Sequence, residues 1–343
     1  MSEKMIKGYK GFNKGLVCRD KQYAGNTVFN EDKATLCESG MHFCENPLNV
    51  LKYYPFYNSK TKSFSEYAEV EAPEDVTESN GEKSVTKQLK IGSKISFDEL
   101  IKAGVEFNLS KAKFDKGKSI VTGDNCGAMA TGDYSGASAV GWRNGASATG
   151  DYSGASATGD YSGASATGDY NGASAVGDFS GASATGDYSG ASATGDYNGA
   201  SAVGDFSGAS ATGDYNGASA VGWRNGAMVV GNCSGAITTG DNCGAMATGN
   251  YSGASATGDN CGAMVVGNNS QAMCKNNSVA VAVGKGSMAK GDIGCYIVLT
   301  EVKWDFETDT NKIIDCKCFK VDGEIIKTDT FYTLVDGKPV EVE

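Results

Sequence analysis

The chain has 343 residues, of which 48 are Gly and only 4 Pro, with a formal charge of −11 at pH 7 and a mean hydropathy of −0.30. Gly without a three-residue period and without Pro excludes collagen. The acidity argues against a nucleic-acid binder that works by neutralising phosphates, and no run approaches the roughly 18 apolar residues of a membrane span. The opening Met1–Gly11 segment has no apolar core of signal-peptide length, so residence in the cytosol is expected, without a membrane partner. Eleven Cys with no C-x-x-C pair and a single His offer little for a zinc site, so free thiols, no metal and no cofactor are expected.

Residues 1–112 have ordinary composition and read as a small α+β domain. Strands are predicted at Met5–Phe12, Phe64–Glu71 and Gln88–Ile95. Asn46-Pro47 followed by Leu48, Val50, Leu51, Tyr53 and Tyr54 predicts a capped helix with Pro in its first turn, and Asp98–Ala103 a second, short one. The only His, His42, stands between Gly40 and Phe43-Cys44, with Glu69 and Glu71 downstream on a predicted strand. His42 and Glu71 are the only catalytic candidates, and the plain alternative is that His42 is structural. No Ser/His/Asp set, phosphate loop or metal motif supports them.

From Gly123 to Lys275 a nine-residue period runs through 17 units without insertion or deletion, typified by Gly150-Asp-Tyr-Ser-Gly-Ala-Ser-Ala-Thr158. The first Gly is present in all 17 units and the second in 16, the exception being Gln271. A Gly/Ser linker tolerates drift in spacing; fixed spacing with Thr or Val at one phase reads as a β-solenoid. Ala-Ser-Ala-Thr is a short strand and Gly-Asp-Tyr-Ser-Gly a turn. One nonamer cannot close around an interior, so two per 18-residue coil are expected, forming a flattened roll. The two Ala positions share a face and are placed inward; the opposite assignment, with Ser/Met and Thr/Val inside, stays open. At roughly 4.8 Å per stacked strand the regular units make a rod of about 40 Å. If two units form a coil, Trp142-Arg143 and Trp223-Arg224, nine units apart, lie on opposite edges, whereas Cys243 and Cys261 stack on one edge, within reach of a disulfide under oxidation.

Asp follows the first Gly in 12 units. The calcium-binding nonapeptide rolls use Gly-Gly-x-Gly-x-Asp, which is absent here, and replacement by Asn232, Asn250 and Asn268 favours a turn-forming role. The same carboxylates suggest DNA mimicry, at one charge per roughly 3.4 Å against about 1.7 Å for duplex DNA. Tyr or Phe usually comes next, giving a surface aromatic ladder. The candidate binding surface is therefore Asp151, Tyr152, Asp160, Tyr161, Asp169, Tyr170, Asp187, Tyr188, Asp196 and Tyr197, with Trp142, Arg143, Trp223 and Arg224. The outward Ser/Thr rows suggest an ice-binding face, which the interrupting Val and Met weaken.

After the repeat, residues 277–290 predict a closing coil. Strands follow at Cys295–Trp304, Ile313–Val321, Glu324–Thr328, Phe331–Leu334 and Pro339–Val342, with Asp322-Gly323 and Asp336-Gly337 as hairpin turns. The expected organisation is thus mainly β: an α+β domain (1–112), a β-solenoid (113–290) and a C-terminal β cap (291–343).

Lys7-Gly-Tyr-Lys-Gly-Phe-Asn13, Leu36-Cys-Glu-Ser-Gly-Met-His-Phe-Cys-Glu-Asn-Pro-Leu48 and Ala68-Glu-Val-Glu71 resemble an uncharacterised N-terminal domain common in phages and prophages of Gram-positive bacteria, often followed by similar Gly/Ala/Ser repeats. The tail, Ala289–Glu301 and Val321–Leu334, is similar to the same family. The resemblance implies a phage context and no mechanism. His42 with Tyr9 or Tyr53 and a strand Glu faintly resembles ADP-ribosyltransferase folds, and the repeat weakly resembles the rolls of trimeric adhesin heads. The functional expectation is a phage-encoded, non-enzymatic interaction or scaffold protein in the host cytoplasm, with virion association open, presenting an acidic, Tyr-bearing solenoid to a protein partner such as a host defence factor, without direct nucleic-acid binding. Alternatives are an anti-defence DNA mimic and an ADP-ribosyltransferase-like enzyme. The oligomeric state is left open.

Overall fold

The computed structural model describes residues 4–36, 38–58, 60–74, 77–111, 113–114 and 119–342. The expected boundary at residue 112 falls outside them. The N-terminal part holds β1 (Met5–Phe12), β2 (Thr27–Asn30), β3 (Met41–Phe43), β4 (Glu66–Pro73), β5 (Thr77–Ser79), β6 (Ser84–Thr86) and β7 (Gln88–Ile95), then α1 (Phe97–Lys111). A four-stranded sheet runs β1-β4-β7-β2 and a three-stranded one β3-β6-β5. Phe12, Met41, Phe43, Val70, Leu89 and Ile91 form their common core.

The helix predicted after Asn46 is a 3-10 helix, Pro47–Lys52; Asn46 Oδ1 caps it, accepting from the Leu48 N–H at 3.0 Å. The helix predicted at Asp98–Ala103 runs on to Lys111. Its start is a capping box, with the Glu99 N–H donating to Ser96 Oγ at 3.2 Å and the Ser96 N–H to Glu99 Oε2 at 2.7 Å. Gly104, a poor helix former, is retained because a Cβ there would lie 2.5 Å from Leu48 Cγ.

The repeat is a β-solenoid of two facing parallel sheets, of 13 and 12 strands including the flanking ones. Strands pair with a shift of eighteen residues, Ala146 with Ala164 and Ala164 with Ala182, which establishes two nonapeptides per coil. Both Ala positions point inward: Ala146 and Ala164 are 0% exposed, Ala148 and Ala166 1%. The Ser/Met-inward assignment is therefore excluded. A core of methyl groups only two Ala deep brings the sheets close together. Cohesion between coils then rests on the backbone ladder, which has no side-chain volume to fit. Trp142 and Trp223 lie on opposite edges, in turns leading into different sheets. Cys243 and Cys261 stack, the Cys243 N–H donating to Cys261 Sγ at 3.3 Å. None of the ten described cysteines, these two included, is in a disulfide.

The far end is closed by two antiparallel hairpins. Tyr296–Asp305 with Thr310–Lys320 finishes the 12-stranded sheet, and Phe331–Val335 with Lys338–Val342, turning at Asp336-Gly337, finishes the other. Lys312, Lys317 and Lys320 on the outermost strand discourage further strand addition. Asp322-Gly323 is not a hairpin turn and Glu324–Thr328 is not a strand. This segment crosses from one sheet to the other, and Asp322 Oδ1 holds it by accepting the N–H groups of Glu324, Ile325 and Ile326 at 2.9–3.0 Å. Three local backbone bonds to one carboxylate compete successfully with a ladder.

The N-terminal domain sits on the outer face of the 13-stranded sheet, hereafter the covered sheet. Phe97, Leu100, Ile101 and Val105 of α1 are buried there with Leu48 and Phe56. Each such side chain contributes about 1.5–3 kcal/mol on leaving water. Along the track below, an added Cβ at Gly199 would lie 2.0 Å from Ile101 Cδ1, at Gly217 2.4 Å from Phe97 Cζ and at Gly253 2.6 Å from Tyr57 Cδ2. The second repeat Gly thus admits the domain. On the 12-stranded, open sheet the corresponding Gly172, Gly244 and Gly262 would meet nothing within 4 Å.

Candidate functional site

The two edges of the solenoid are built from one turn repeated. Its first Gly has φ between +107° and +151° across the units, and at Gly186 a Cβ would fall 2.0 Å from the Gly168 carbonyl oxygen one coil earlier. Only Gly fits. Asp follows, and its carboxylate bonds to the next coil: Asp151 Oδ1 accepts from the Asp169 N–H, and Asp169 Oδ1 from that of Asp187, each at 2.9 Å. Asn232 and Asn250 do the same for the N–H groups of Asn250 and Asn268, at 2.9 and 2.8 Å. The Asp line therefore satisfies backbone donors between coils and leaves its second oxygens for solvent. No group of three or more metal-ligating side chains occurs among the described residues.

The next residue takes the left-handed conformation whatever its type: Tyr152 at φ +57°, Arg143 at +56°, Cys233 at +56°. Such a backbone is uncommon for an aromatic residue. Stacking offsets the strain. Tyr134, Tyr152, Tyr170, Tyr188 and Phe206 form one ladder, with centroids 4.8–5.0 Å apart and planes within 6°. Tyr161, Phe179, Tyr197 and Tyr215 form the other, at 4.9–5.2 Å. Each ladder ends on a Trp-Arg pair. Arg224 lies over Phe206 and Trp223, at 5.6 and 4.2 Å, and Arg143 over Tyr161 and Trp142, at 5.6 and 4.1 Å.

The third turn residue carries a ladder that sequence reasoning missed. It is Ser, Asn or Cys, buried, and it closes the gap between coils. The Ser162 N–H donates to Ser180 Oγ at 3.1 Å, and that hydroxyl donates to the Gly159 carbonyl at 3.2 Å. Cys261 Sγ takes the same place toward the Gly240 carbonyl at 3.0 Å. The restriction to small side chains that can both accept and donate is the signal in the sequence that marks this position.

The fourteen candidate surface residues fall on two lines. Asp151, Tyr152, Asp169, Tyr170, Asp187, Tyr188, Trp223 and Arg224 share the edge leading into the open sheet; Trp142, Arg143, Asp160, Tyr161, Asp196 and Tyr197 share the other. The first edge is free, with Tyr152, Tyr170 and Tyr188 about half exposed. The second is flanked by the N-terminal domain, whose Lys52 Nζ stands 6.0 Å from the Phe179 ring centre. Seven of the 12 repeat carboxylates belong to the free edge: Asp133, Asp151, Asp169, Asp187, Asp205, Asp241 and Asp259.

His42 and Glu71 are not brought together. Glu71 is half-buried on β4, held below the usual carboxylate range by its ion pair with Lys90 at 2.9 Å, in a shallow groove with Lys7 and Glu69. His42 lines a separate cavity of about 560 Å³ between β1, β3 and the 3-10 helix. Burial, then the charges of Lys83 and Lys10, hold its imidazole below its usual range. Tyr9 and Tyr53, the other residues of that constellation, line the same cavity as His42.

The fold defines a two-sheet β-solenoid carrying its own N-terminal domain. Residues 6–103, within that domain, match the family described as a domain of unknown function (DUF7666). No curated protein and no solved structure matches the chain.

Proposed function

We propose that this is a non-enzymatic interaction protein, phage-encoded and working in the cytoplasm of the host bacterium, whose solenoid presents an acidic, tyrosine-bearing edge to a protein partner. One observation carries the reading. The repeat is two-sided in sequence, yet the N-terminal domain covers one sheet face and flanks one aromatic edge while their counterparts stand bare. The molecule thus uses half of its repeat as a docking surface already. The cations set over its rings, Arg224 on Phe206 and Lys52 beside Phe179, supply the chemistry a partner would reproduce: basic side chains laid on tyrosine faces, with carboxylates alongside. The phage context rests on the resemblance of the N-terminal and tail segments to the phage and prophage family.

The test is capture from infected host cells with wild type and with Tyr152→Ser/Tyr170→Ser/Tyr188→Ser. The partner is expected to be lost from the triple variant and retained by Tyr161→Ser/Tyr197→Ser on the flanked edge. Equal capture by all three proteins would contradict the proposal. Displacement of the partner by duplex DNA, together with loss on Asp151→Asn/Asp169→Asn/Asp187→Asn, would move the reading to DNA mimicry.

A further inference from the structure

The cavity that holds His42 is unlike the rest of this acidic protein. Its wall carries four cations, Lys10, Arg19, Lys21 and Lys83, against two carboxylates, Asp20 and Glu31. Lys21 is neutralised by Glu31 at 2.7 Å. Among the described residues, Lys10, Arg19 and Lys83 have no carboxylate within ion-pair distance. Lys10 is the telling one. It is 5% exposed, and its ammonium is held by the His42 carbonyl at 2.7 Å and lies 5.4 Å from the Tyr23 ring centre. A buried ammonium without a counter-ion is strongly disfavoured, and a lysine whose only purpose was packing would be better served by Met or Leu. Arg19 is exposed at the mouth, in a left-handed turn at φ +53° that follows Cys18. Lys83, half-buried, stands 5.0 Å from the Tyr53 ring centre on the side of His42.

The remainder of the wall is aromatic and apolar: Tyr9, Tyr23, Tyr53, Tyr54, Phe43 and Val50. The volume, about 560 Å³, is that of a small-molecule site. Lys10 is held below the usual ammonium range by burial, against the opposing effect of the Cys18 and Cys44 thiols. The positive potential shows at His42, whose imidazole is lowered by burial and then by Lys83, Lys10 and Arg19.

We infer that this cavity binds a small phosphorylated molecule with a planar ring, of mononucleotide size, its phosphate set between Lys10, Arg19 and Lys83 and its ring among the tyrosines. Three cations on the wall of one cavity favour a dianion over a single carboxylate, and the guanidinium fork of Arg19 matches phosphate oxygens. Tyrosine faces accept any base by stacking. The site lies on the N-terminal domain, away from the free edge of the solenoid, so it does not depend on the proposal above.

Isothermal titration of the full chain at low salt with AMP, GMP, CMP and UMP, and with inorganic phosphate and adenosine as separate arms, tests this. At least one nucleotide is expected to bind more tightly than either phosphate or adenosine. Arg19→Gln and Lys83→Gln should each weaken it about tenfold, the effect of losing one charge-assisted hydrogen bond. Lys10→Met should abolish binding while raising the melting temperature, since it removes a buried uncompensated charge; a lysine that merely supports the fold would lower it. Lys90→Gln, outside the cavity, should change nothing. Absence of binding by all four nucleotides at millimolar concentration, or binding indifferent to Arg19 and Lys83, overturns the site. Phosphate binding as tightly as every nucleotide overturns the assignment of a ring-bearing ligand.

Discussion

The two outer faces of the solenoid have the same repeat and different neighbours. On the open sheet the second Gly of the unit faces space; on the covered sheet it lies under Ile101, Phe97, Phe56 or Tyr57. The first Gly, by contrast, is pressed against the coil before it at both edges. A glycine can therefore be repeated for three reasons within one motif. Backbone geometry demands it at Gly186, a docked domain at Gly217, and at Gly172 it is carried along because the neighbouring unit needs it.

These differences set a graded series of substitutions. The largest effect is expected from Gly186→Ala, at φ +126° and 2.0 Å from the Gly168 carbonyl. It should destabilise by on the order of 3 kcal/mol, measured by chemical denaturation, because neither backbone can yield. Next comes Gly217→Ala on the covered sheet. Phe97, stacked on Phe56 at 3.9 Å, has no room to retreat. A loss of about 1–3 kcal/mol is expected, seen as faster hydrogen exchange in α1 and easier proteolytic release of the N-terminal domain. Gly172→Ala, its counterpart on the open sheet, should be neutral or gain about 0.4–1 kcal/mol. Equal effects at Gly217 and Gly172 would break the comparison.

On the edges, Asp169→Ala should lose about 0.5–1.5 kcal/mol, the worth of the bond to the Asp187 N–H. Asp169→Asn should be nearly neutral, as Asn232 and Asn250 already make that bond elsewhere. A smaller, pH-dependent effect is expected at the interface itself. Asp98 of α1 is half-buried against the covered sheet, accepting from Ser201 Oγ at 3.1 Å, and burial raises its pKa despite the Ser219 and Ser201 hydroxyls. A raised folded value means that the docked state binds the proton more tightly. Ionisation therefore opposes docking, an effect absent below the unfolded pKa and complete above the folded one. Docking should strengthen as pH falls through that interval, and Asp98→Asn should abolish the dependence, measured by hydrogen exchange in α1 at two pH values.

Much of the solenoid was legible because its constraints are local and repeated. Eighteen-residue stacking, inward Ala and the opposite edges of Trp142 and Trp223 all follow from spacing and side-chain size. The occupied face was not legible, since Gly163 and Gly190 stand in identical units and differ only in what lies over them, Val105 of α1 at the first and no part of the N-terminal domain at the second. Its one signal was the Phe97, Leu100, Ile101, Val105 stripe, truncated in the reading because Gly104 and β-branched Val105 look like a helix end. The left-handed turn residue was hidden for a different reason. Tyr and Arg do not choose that conformation alone; the coil imposes it and stacking compensates. In the tail, Asp322-Gly323 reads as a hairpin turn until the sheets its flanks belong to are known. His42 and Glu71, near each other in sequence terms, are separated because β3 and β4 belong to different sheets.

The central claim is that one edge of the solenoid is engaged by the N-terminal domain and the equivalent edge is free for a partner. A photo-crosslinking residue placed singly at Phe179 and at Tyr170, irradiated in infected cells, tests it most directly. From Phe179 the account requires an intramolecular adduct to the segment around Lys52, and from Tyr170 an intermolecular adduct with one recurring protein. Intermolecular adducts from Phe179, or none from Tyr170, would contradict it.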